Sequence, residues 1–147
     1  MIVTASLTTG IARVASGRDE CMRLIEDVLA LDHVHWETVM SVGDEEFYTT
    51  PTGPYPNHKL RISVDPAYGY AAINYVDHED GTMPVASTIS TSSLAPPELH
   101  LIFSGQTGAV FPSICAISIV DARHALTEWI ETRVRPKCVE WQAYDEY

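Results

Sequence analysis

Residues 59–77 read KLRISVDPAYGYAAINYVD. On both sides of the DPAYG segment, core-type apolar residues recur at every second position, which is the period of a half-buried strand. Pro66 sets φ for a turn, and Gly69 can adopt the left-handed conformation that returns the chain. The stretch therefore predicts an antiparallel hairpin whose inner face carries Leu60, Ile62, Val64, Ala71, Ile73 and Tyr75. A one-residue slip would move Asn74 into the core, so the alternation also specifies the register.

The chain before this hairpin predicts another hairpin, a helix and a strand. Residues 2–8 and 11–15 are apolar runs on either side of a Thr-Gly turn signal. Ser16 opens a helix-start box and is expected to cap a helix over residues 17–31. The apolar stripe of that helix has helical spacing and consists of Cys21, Leu24, Ile25, Val28 and Leu29. Residues 33–40 are then typical of a strand.

The chain after the central hairpin predicts two more strands and a second helix. The strands cover residues 82–89 and 98–103. A second helix-start box begins at Ser118 and opens a helix over residues 119–132. Pro136 cannot continue a helix and is expected to stop it.

The last predicted element is a strand over residues 137–143. Its alternation places Val139 and Trp141 on the inner face, and we expect Trp141 to be buried against the helix that carries Trp129. Long antiparallel runs with only two helices predict an α+β fold, a mostly antiparallel sheet with two helices packed on one face. We expect residues 1–147 to form a single domain of ordinary size.

The charge balance is strongly acidic. Twenty acidic residues against nine basic ones give a formal net charge of −11 and a pI near 4.7. This balance disfavours nucleic acid and anionic membranes as partners and favours a basic partner, although it can also serve solubility alone. No apolar run approaches the roughly 18 residues of a transmembrane helix, and we expect a cytoplasmic protein.

The chain offers little sign of catalytic or metal chemistry. None of the phosphate-binding, dinucleotide-binding, nucleophile-elbow or zinc-protease motifs occurs in it. His33 and His35 would share one face of a strand, but no third ligand follows at a recognisable spacing. Asp65 and Asp77 lie at opposite ends of the predicted hairpin, too far apart for paired-carboxylate chemistry. We therefore expect no metal, no cofactor and no enzymatic activity.

Two acidic loops are the candidate binding residues. The long irregular stretch over residues 42–58 combines an acidic run with aromatic residues, and a second acidic turn follows the central hairpin. Carboxylates and aromatic rings on one loop suit a protein interface, but they equally suit a solvated connection. The candidate partner-binding residues are Asp44, Glu45, Glu46, Phe47, Tyr48, Tyr55, Asp77, Glu79 and Asp80.

Two segments carry a resemblance to a known family. Residues 60–75, LRISVDPAYGYAAINY, and residues 135–142, RPKCVEWQ, resemble the first of the Imm families, immunity proteins of bacterial polymorphic toxin systems. The resemblance covers roughly residues 10–143 and includes a helix before a final Pro-x-x-Val-x-Trp strand. It implies a non-enzymatic protein that binds a deaminase-like toxin acting on nucleic acid and blocks it in the producing cell.

A second interpretation remains open. A protein of the same fold can serve as an accessory protein that binds a small ligand or a partner in a biosynthetic gene cluster. The neighbouring reading frame distinguishes the two, because a deaminase-like toxin supports immunity and biosynthetic genes support the accessory role.

Overall fold

The computed structural model describes residues 1–47, 58–91 and 98–144. Within these ranges, two α-helices and ten strands follow one another. The elements are β1 Ile2–Ser6, β2 Ala12–Ser16, α1 Gly17–Ala30, β3 Thr38–Gly43, β4 His58–Asp65, β5 Tyr70–Asp77, β6 Val85–Ile89, β7 Ile102–Ser104, β8 Ala109–Val110, β9 Ile117–Ser118, α2 Ile119–Thr132 and β10 Glu140–Ala143.

The main sheet is built around the central hairpin. Its strands lie in the order β10-β6-β5-β4-β3-β1-β2, with the short β9 paired to the start of β5, and the described pairs are antiparallel. The predicted register is confirmed, since Ile62 lies opposite Ile73 and Val64 opposite Ala71. Gly69 adopts the left-handed conformation at φ +77°, as the turn requires.

Both helices cover one face of this sheet, and the predicted α+β class is confirmed. The predicted stripe of α1 is buried there, together with the inward residues of the central hairpin. From α2 the same core receives Ala122, Ala125, Leu126, Trp129 and Ile130. Ion pairs join the outer sides of the two helices, with Arg123 bound to Glu26 at 2.6 Å and Arg18 bound to Glu131.

The opposite face of the sheet carries a second layer that the alternation did not predict. Strand β7 covers only residues 102–104, not 98–103, and it pairs with β8 in a separate two-stranded sheet. Phe103 and Phe111 from this layer pack with Ala72 of β5. The polar side of the central hairpin binds the same layer, because Ser63 Oγ donates to the Ile102 carbonyl and Arg61 Nη1 donates to the Phe103 carbonyl at 2.9 Å. Because the polar side chains on this face of the central hairpin are few and find backbone partners, both faces of the sheet can be buried.

Two predictions near the first helix are wrong in detail. The strand expected from residue 33 begins only at Thr38; the His33 side chain instead lies in the interior, where its ring bonds the Leu31 carbonyl and the Thr38 hydroxyl. Ser16 makes no side-chain capping bond; instead its backbone N–H donates to Glu20 Oε2 at 2.8 Å. Ser118 does cap α2, as predicted, by accepting from the Asp121 backbone N–H at 3.1 Å.

The last strand is shorter than predicted and its tryptophan is only partly buried. Strand β10 covers Glu140–Ala143 and pairs with β6 at the edge of the sheet. Trp141 packs against the main core, with its ring edge-on to Tyr75 at 6.3 Å and its Nε1–H donated to the Pro136 carbonyl at 2.7 Å. An edge strand has a neighbour on one side only, which leaves part of this indole accessible.

Candidate partner-binding site

The two acidic segments lie at the same end of the main sheet. Strand β3 ends at Gly43 and β5 ends at Asp77, while β4 between them starts at His58. Because neighbouring strands are antiparallel, these three points fall at one end. We call this end, with residues 44–46 and 77–80, the acidic end.

The first acidic segment is tied to the end of helix α2. The Asp44 carboxylate forms an ion pair with Arg133 Nη1 at 2.9 Å, although the Asp44 side chain remains 84% exposed. Arg133 has a left-handed backbone, φ 59°, at the C-cap of α2, which turns the chain toward this end. Glu45 is exposed and Glu46 half-buried, so carboxylates remain accessible beside the pair.

Phe47 is held on the sheet and does not project freely from the loop. Its backbone N–H donates to Thr4 Oγ1 at 3.0 Å. Its ring lies over Gly43, where an added Cβ would come within 2.7 Å of the ring. Tyr48 and Tyr55, the other two aromatic candidates, lie outside the described residues.

The second acidic segment is a tightly hydrogen-bonded turn. Asp80 Oδ1 accepts from the backbone N–H groups of Met83 and Thr82 and from the Thr82 hydroxyl, and these bonds lower the pKa of Asp80. Its second oxygen pairs with Arg135 at 3.3 Å. Arg135 also donates to the Met83 carbonyl at 3.0 Å, so this arginine fixes the turn to the segment after α2. Asp80 is therefore a structural carboxylate.

Asp77 shapes the start of the same turn, and Glu79 lies at its surface. Asp77 Oδ1 accepts from the Glu79 backbone N–H at 3.0 Å, while the Glu79 side chain is exposed. Of the three carboxylates predicted here, Glu79 is the most accessible to another molecule.

A cleft of about 510 Å³ opens between this turn and the segment after α2. Its lining combines four carboxylates, two cations and an apolar wall: Asp77, Glu79, Asp80, Glu140, Arg135, Lys137, Val134, Pro136, Val139 and Trp141. Because Arg135 is already bound to Asp80, the cleft has an anionic excess beside an indole ring. Such a lining suits a guanidinium or ammonium side chain.

Neutral aromatic rings lie behind the acidic end. His58 stacks on Tyr75 at 6.1 Å between ring centroids. Burial lowers the pKa of His58. The charge of Asp77 opposes this shift in part, and the charge of Arg133 adds to it. Burial, followed by the charge of Asp77, raises the pKa of Tyr75 to about 12. Both rings are therefore uncharged at neutral pH, and they support the site without proton chemistry.

Arg133, Arg135, Glu140 and Trp141 were missed as site residues. The sequence does hold one signal for the arginines, since Arg133 and Arg135 directly follow a predicted helix in a chain with few basic residues. Their proximity to acidic loops elsewhere in the chain is visible only in the fold.

Potential metal ligands are not clustered in the described residues, and the cysteines there are unpaired. No group of three or more His, Cys, Asp or Glu side chains in the described ranges could hold a metal ion. Cys21 and Cys115 are free and buried, and Cys138 is free and exposed. Neither described helix has the length and apolar character needed to cross a membrane.

Comparison with known proteins identifies the family. No curated protein matches the chain. The family model of immunity protein Imm1 matches residues 9–143, from the first turn to the end of the last strand. The matched region includes the central hairpin, both helices and the described residues of the acidic end. The chain therefore belongs to the Imm1 family of immunity proteins, which implies a role in toxin immunity.

Proposed function

We propose that this protein binds and blocks a cognate deaminase-like toxin that acts on nucleic acid, by placing its acidic end over the toxin's basic groove. The observation that supports this most is the placement of two separate acidic segments at one end of the sheet in a protein of net charge −11. The proposed role is binding without catalysis, and it requires no metal or cofactor.

The charge of the two partners is the physical basis of the proposal. A protein that acts on DNA or RNA uses lysine and arginine to hold phosphates. An acidic surface is attracted to such a groove, and the attraction accelerates the encounter over distances of about a Debye length. Once bound, the acidic end excludes the nucleic acid because both compete for the same cations.

The accessible residues of the acidic end have different proposed roles. Glu45 and Glu79 of the acidic end, and Glu140 of the adjoining cleft, are exposed and would meet cations of the toxin directly. Asp44 and Asp80, already paired with Arg133 and Arg135, would hold the two segments in position. The indole that lines the cleft adds a surface on which a toxin arginine can stack.

A matched pair of charge reversals tests the site. The double variant Glu45→Lys and Glu79→Lys changes the acidic end, and Asp32→Lys with Glu98→Lys changes exposed carboxylates elsewhere. Each double variant moves the net charge by four, from −11 to −7, since every reversal adds two charges. We expect the acidic-end variant to associate with the toxin about tenfold or more slowly and with a weaker salt dependence. The association rate of the control variant should fall much less.

The measurement is stopped-flow association at low and high salt, with thermal melting as a check that both variants fold. Equal association rates and salt slopes for the two double variants would contradict the acidic-end site. The candidate toxin is the product of the neighbouring gene, and it is obtained by co-purification with this protein. A neighbouring toxin whose deaminase activity survives an excess of this protein would contradict the proposed function, and biosynthetic neighbours would favour the accessory interpretation.

A further inference from the structure

Strand β2 is an open edge of the main sheet. Within the described part of the chain it pairs with β1 alone. The Leu7 N–H donates to the Ile11 carbonyl at 2.9 Å, so hydrogen-bonded pairs with β1 recur at Arg13 and Ala15. The N–H and C=O groups of Ala12 and Val14 consequently point away from the sheet. The Ser16 N–H also points outward, but it already donates to the Glu20 carboxylate, so the open part of the edge ends there.

This edge lacks the usual protection against another strand. Natural edge strands carry charges, prolines or bulges that prevent pairing. Residues 11–16 contain a single charge, Arg13, and its guanidinium is held by Asp27 of α1 at 2.7 Å, on the helix side. Ile11 is 60% exposed and Val14 39% exposed. The other edge, β10, carries Glu140 and follows Lys137 closely.

The sheet face beside this edge is uncharged. The side chains of β1 and β2 on the face away from the helices are Ile2, Thr4, Ser6, Ala12, Val14 and Ser16. The half-exposed indole of Trp36 lies next to it, with its backbone carbonyl bound by the Thr8 hydroxyl at 2.6 Å. Two copies of a −11 protein repel each other through their acidic surfaces, and this neutral strip is where they can approach at least cost.

We propose that β2 pairs with β2 of a second copy, antiparallel and about a two-fold axis at Arg13. Ala12 of each copy then lies opposite Val14 of the other, and the four outward backbone groups of each strand are all used. A two-fold axis needs a self-complementary surface, and an antiparallel pair of identical strands provides one. The Arg13–Asp27 pair keeps both guanidinium groups on the helix side, each beside its own carboxylate.

A second copy suits this edge better than the toxin. The proposed toxin contact depends on opposite charges at the acidic end, whereas residues 11–16 at the β2 edge include no carboxylate that could attract a basic partner. Salt should therefore act in opposite directions on the two contacts. It weakens an attraction between unlike charges and relieves the repulsion between two acidic copies.

Sedimentation equilibrium of the full chain tests the proposal without any toxin. We expect a concentration-dependent dimer that tightens between about 0.1 M and about 1 M salt, as the Debye length falls from about 10 Å to about 3 Å. Val14→Lys places a charge on the edge and should weaken the dimer about tenfold or more. Ala143→Lys makes the same charge change on the exposed end of β10 and should leave the dimer affinity nearly unchanged.

A second variant guards against misfolding of the first. Ala12→Pro removes one outward N–H at the first residue of a strand, where proline is tolerated. It should also dissociate the dimer while melting like the parent. A parent that stays monomeric at every concentration and salt, or a dimer that Ala143→Lys weakens as much as Val14→Lys does, would overturn the proposal. Neither result bears on toxin binding, which is measured separately.

Discussion

His33 is a neutral buried histidine in a chain segment that is otherwise exposed. Only 1% of it is accessible, while its neighbours Asp32 and Val34 are exposed. Nδ1 lies 2.8 Å from the Leu31 carbonyl, which can only accept, so Nδ1 carries the proton. Nε2 then accepts from the Thr38 hydroxyl at 2.7 Å. These bonds fix the connection between α1 and β3 and engage both ring nitrogens, so this histidine has a structural role.

The pH dependence of stability should reveal this histidine. Burial lowers the pKa of His33 below its usual 6.5, and the carbonyl of Leu31 and the charges of Asp32 and Glu37 oppose that shift only in part. The unfolded chain therefore binds the proton first, and the free energy of unfolding should fall as the pH drops below 6.5. His33→Gln should reduce this slope.

Urea unfolding at a series of pH values measures the slope. His58 contributes in the same direction because burial also lowers its pKa, so the slope is reduced and not abolished in His33→Gln. An unchanged slope in that variant would mean that His33 binds its proton equally well in the folded and unfolded states.

Gly105 is required by a close approach. A Cβ at this position would lie 2.3 Å from the Trp36 ring and 2.5 Å from the His35 carbonyl oxygen. Because one of these neighbours is backbone, the clash cannot be relieved by a side-chain rotation alone. We expect Gly105→Ala to destabilise the protein by about 1–3 kcal/mol in urea unfolding. Gly81→Ala, where nothing lies within 4 Å, should stay within about 0.5 kcal/mol of the parent. Similar losses for both would contradict the close approach.

At the scale of elements, the hairpins and helices follow closely from local sequence. The central hairpin has its predicted register, and α2 has its predicted bounds. Strong periodicity and a matching turn decide such elements before any tertiary contact forms. The strand expected at residues 98–103 shows the limit, because a short apolar run can pair in more than one sheet. Its hydrogen bonds to Ser63 and Arg61, remote in sequence, decide where it lies.

The two helix-start boxes look alike in sequence but differ in the fold. Ser118 caps α2 with its side chain, whereas the Ser16 side chain makes no capping bond to α1. Ser118→Ala should therefore cost about 1 kcal/mol of stability. Ser16→Ala should remain within about 0.5 kcal/mol, since Glu20 and the backbone still close that end. Thermal and urea unfolding of the pair provide the comparison, and an equal loss in both variants would contradict it.

At the scale of the whole molecule, charge is distributed unevenly. The acidic end gathers carboxylates from two loops, and the neutral strip along β1 and β2 has none. A toxin contact at the first and a second copy at the second would occupy different regions of the protein. The two contacts can then be separated by salt, because screening weakens one and strengthens the other.

The candidate site was predictable in part. The carboxylates Asp44, Glu45, Glu79 and Asp77 could be identified from loop composition, because acidic runs between strands are local features. Their common location depends on the order of three strands in the sheet. The division of roles within the site also depends on the fold, since Asp80 is bound within its own turn and to Arg135, a residue remote in sequence.

The sequence by itself determined the α+β class, the central register, the extent of α2 and the acidic character of the candidate partner-binding site. These properties rest on periodicity, turn residues and net charge, which act locally or through composition alone. Only the tertiary structure decided that the sheet is covered on both faces, that the two acidic segments lie at one end of it with Arg133 and Arg135, and that β2 pairs with β1 alone among the described residues. Each of these depends on contacts between residues distant along the chain, and such contacts are selected by the packing of the whole molecule.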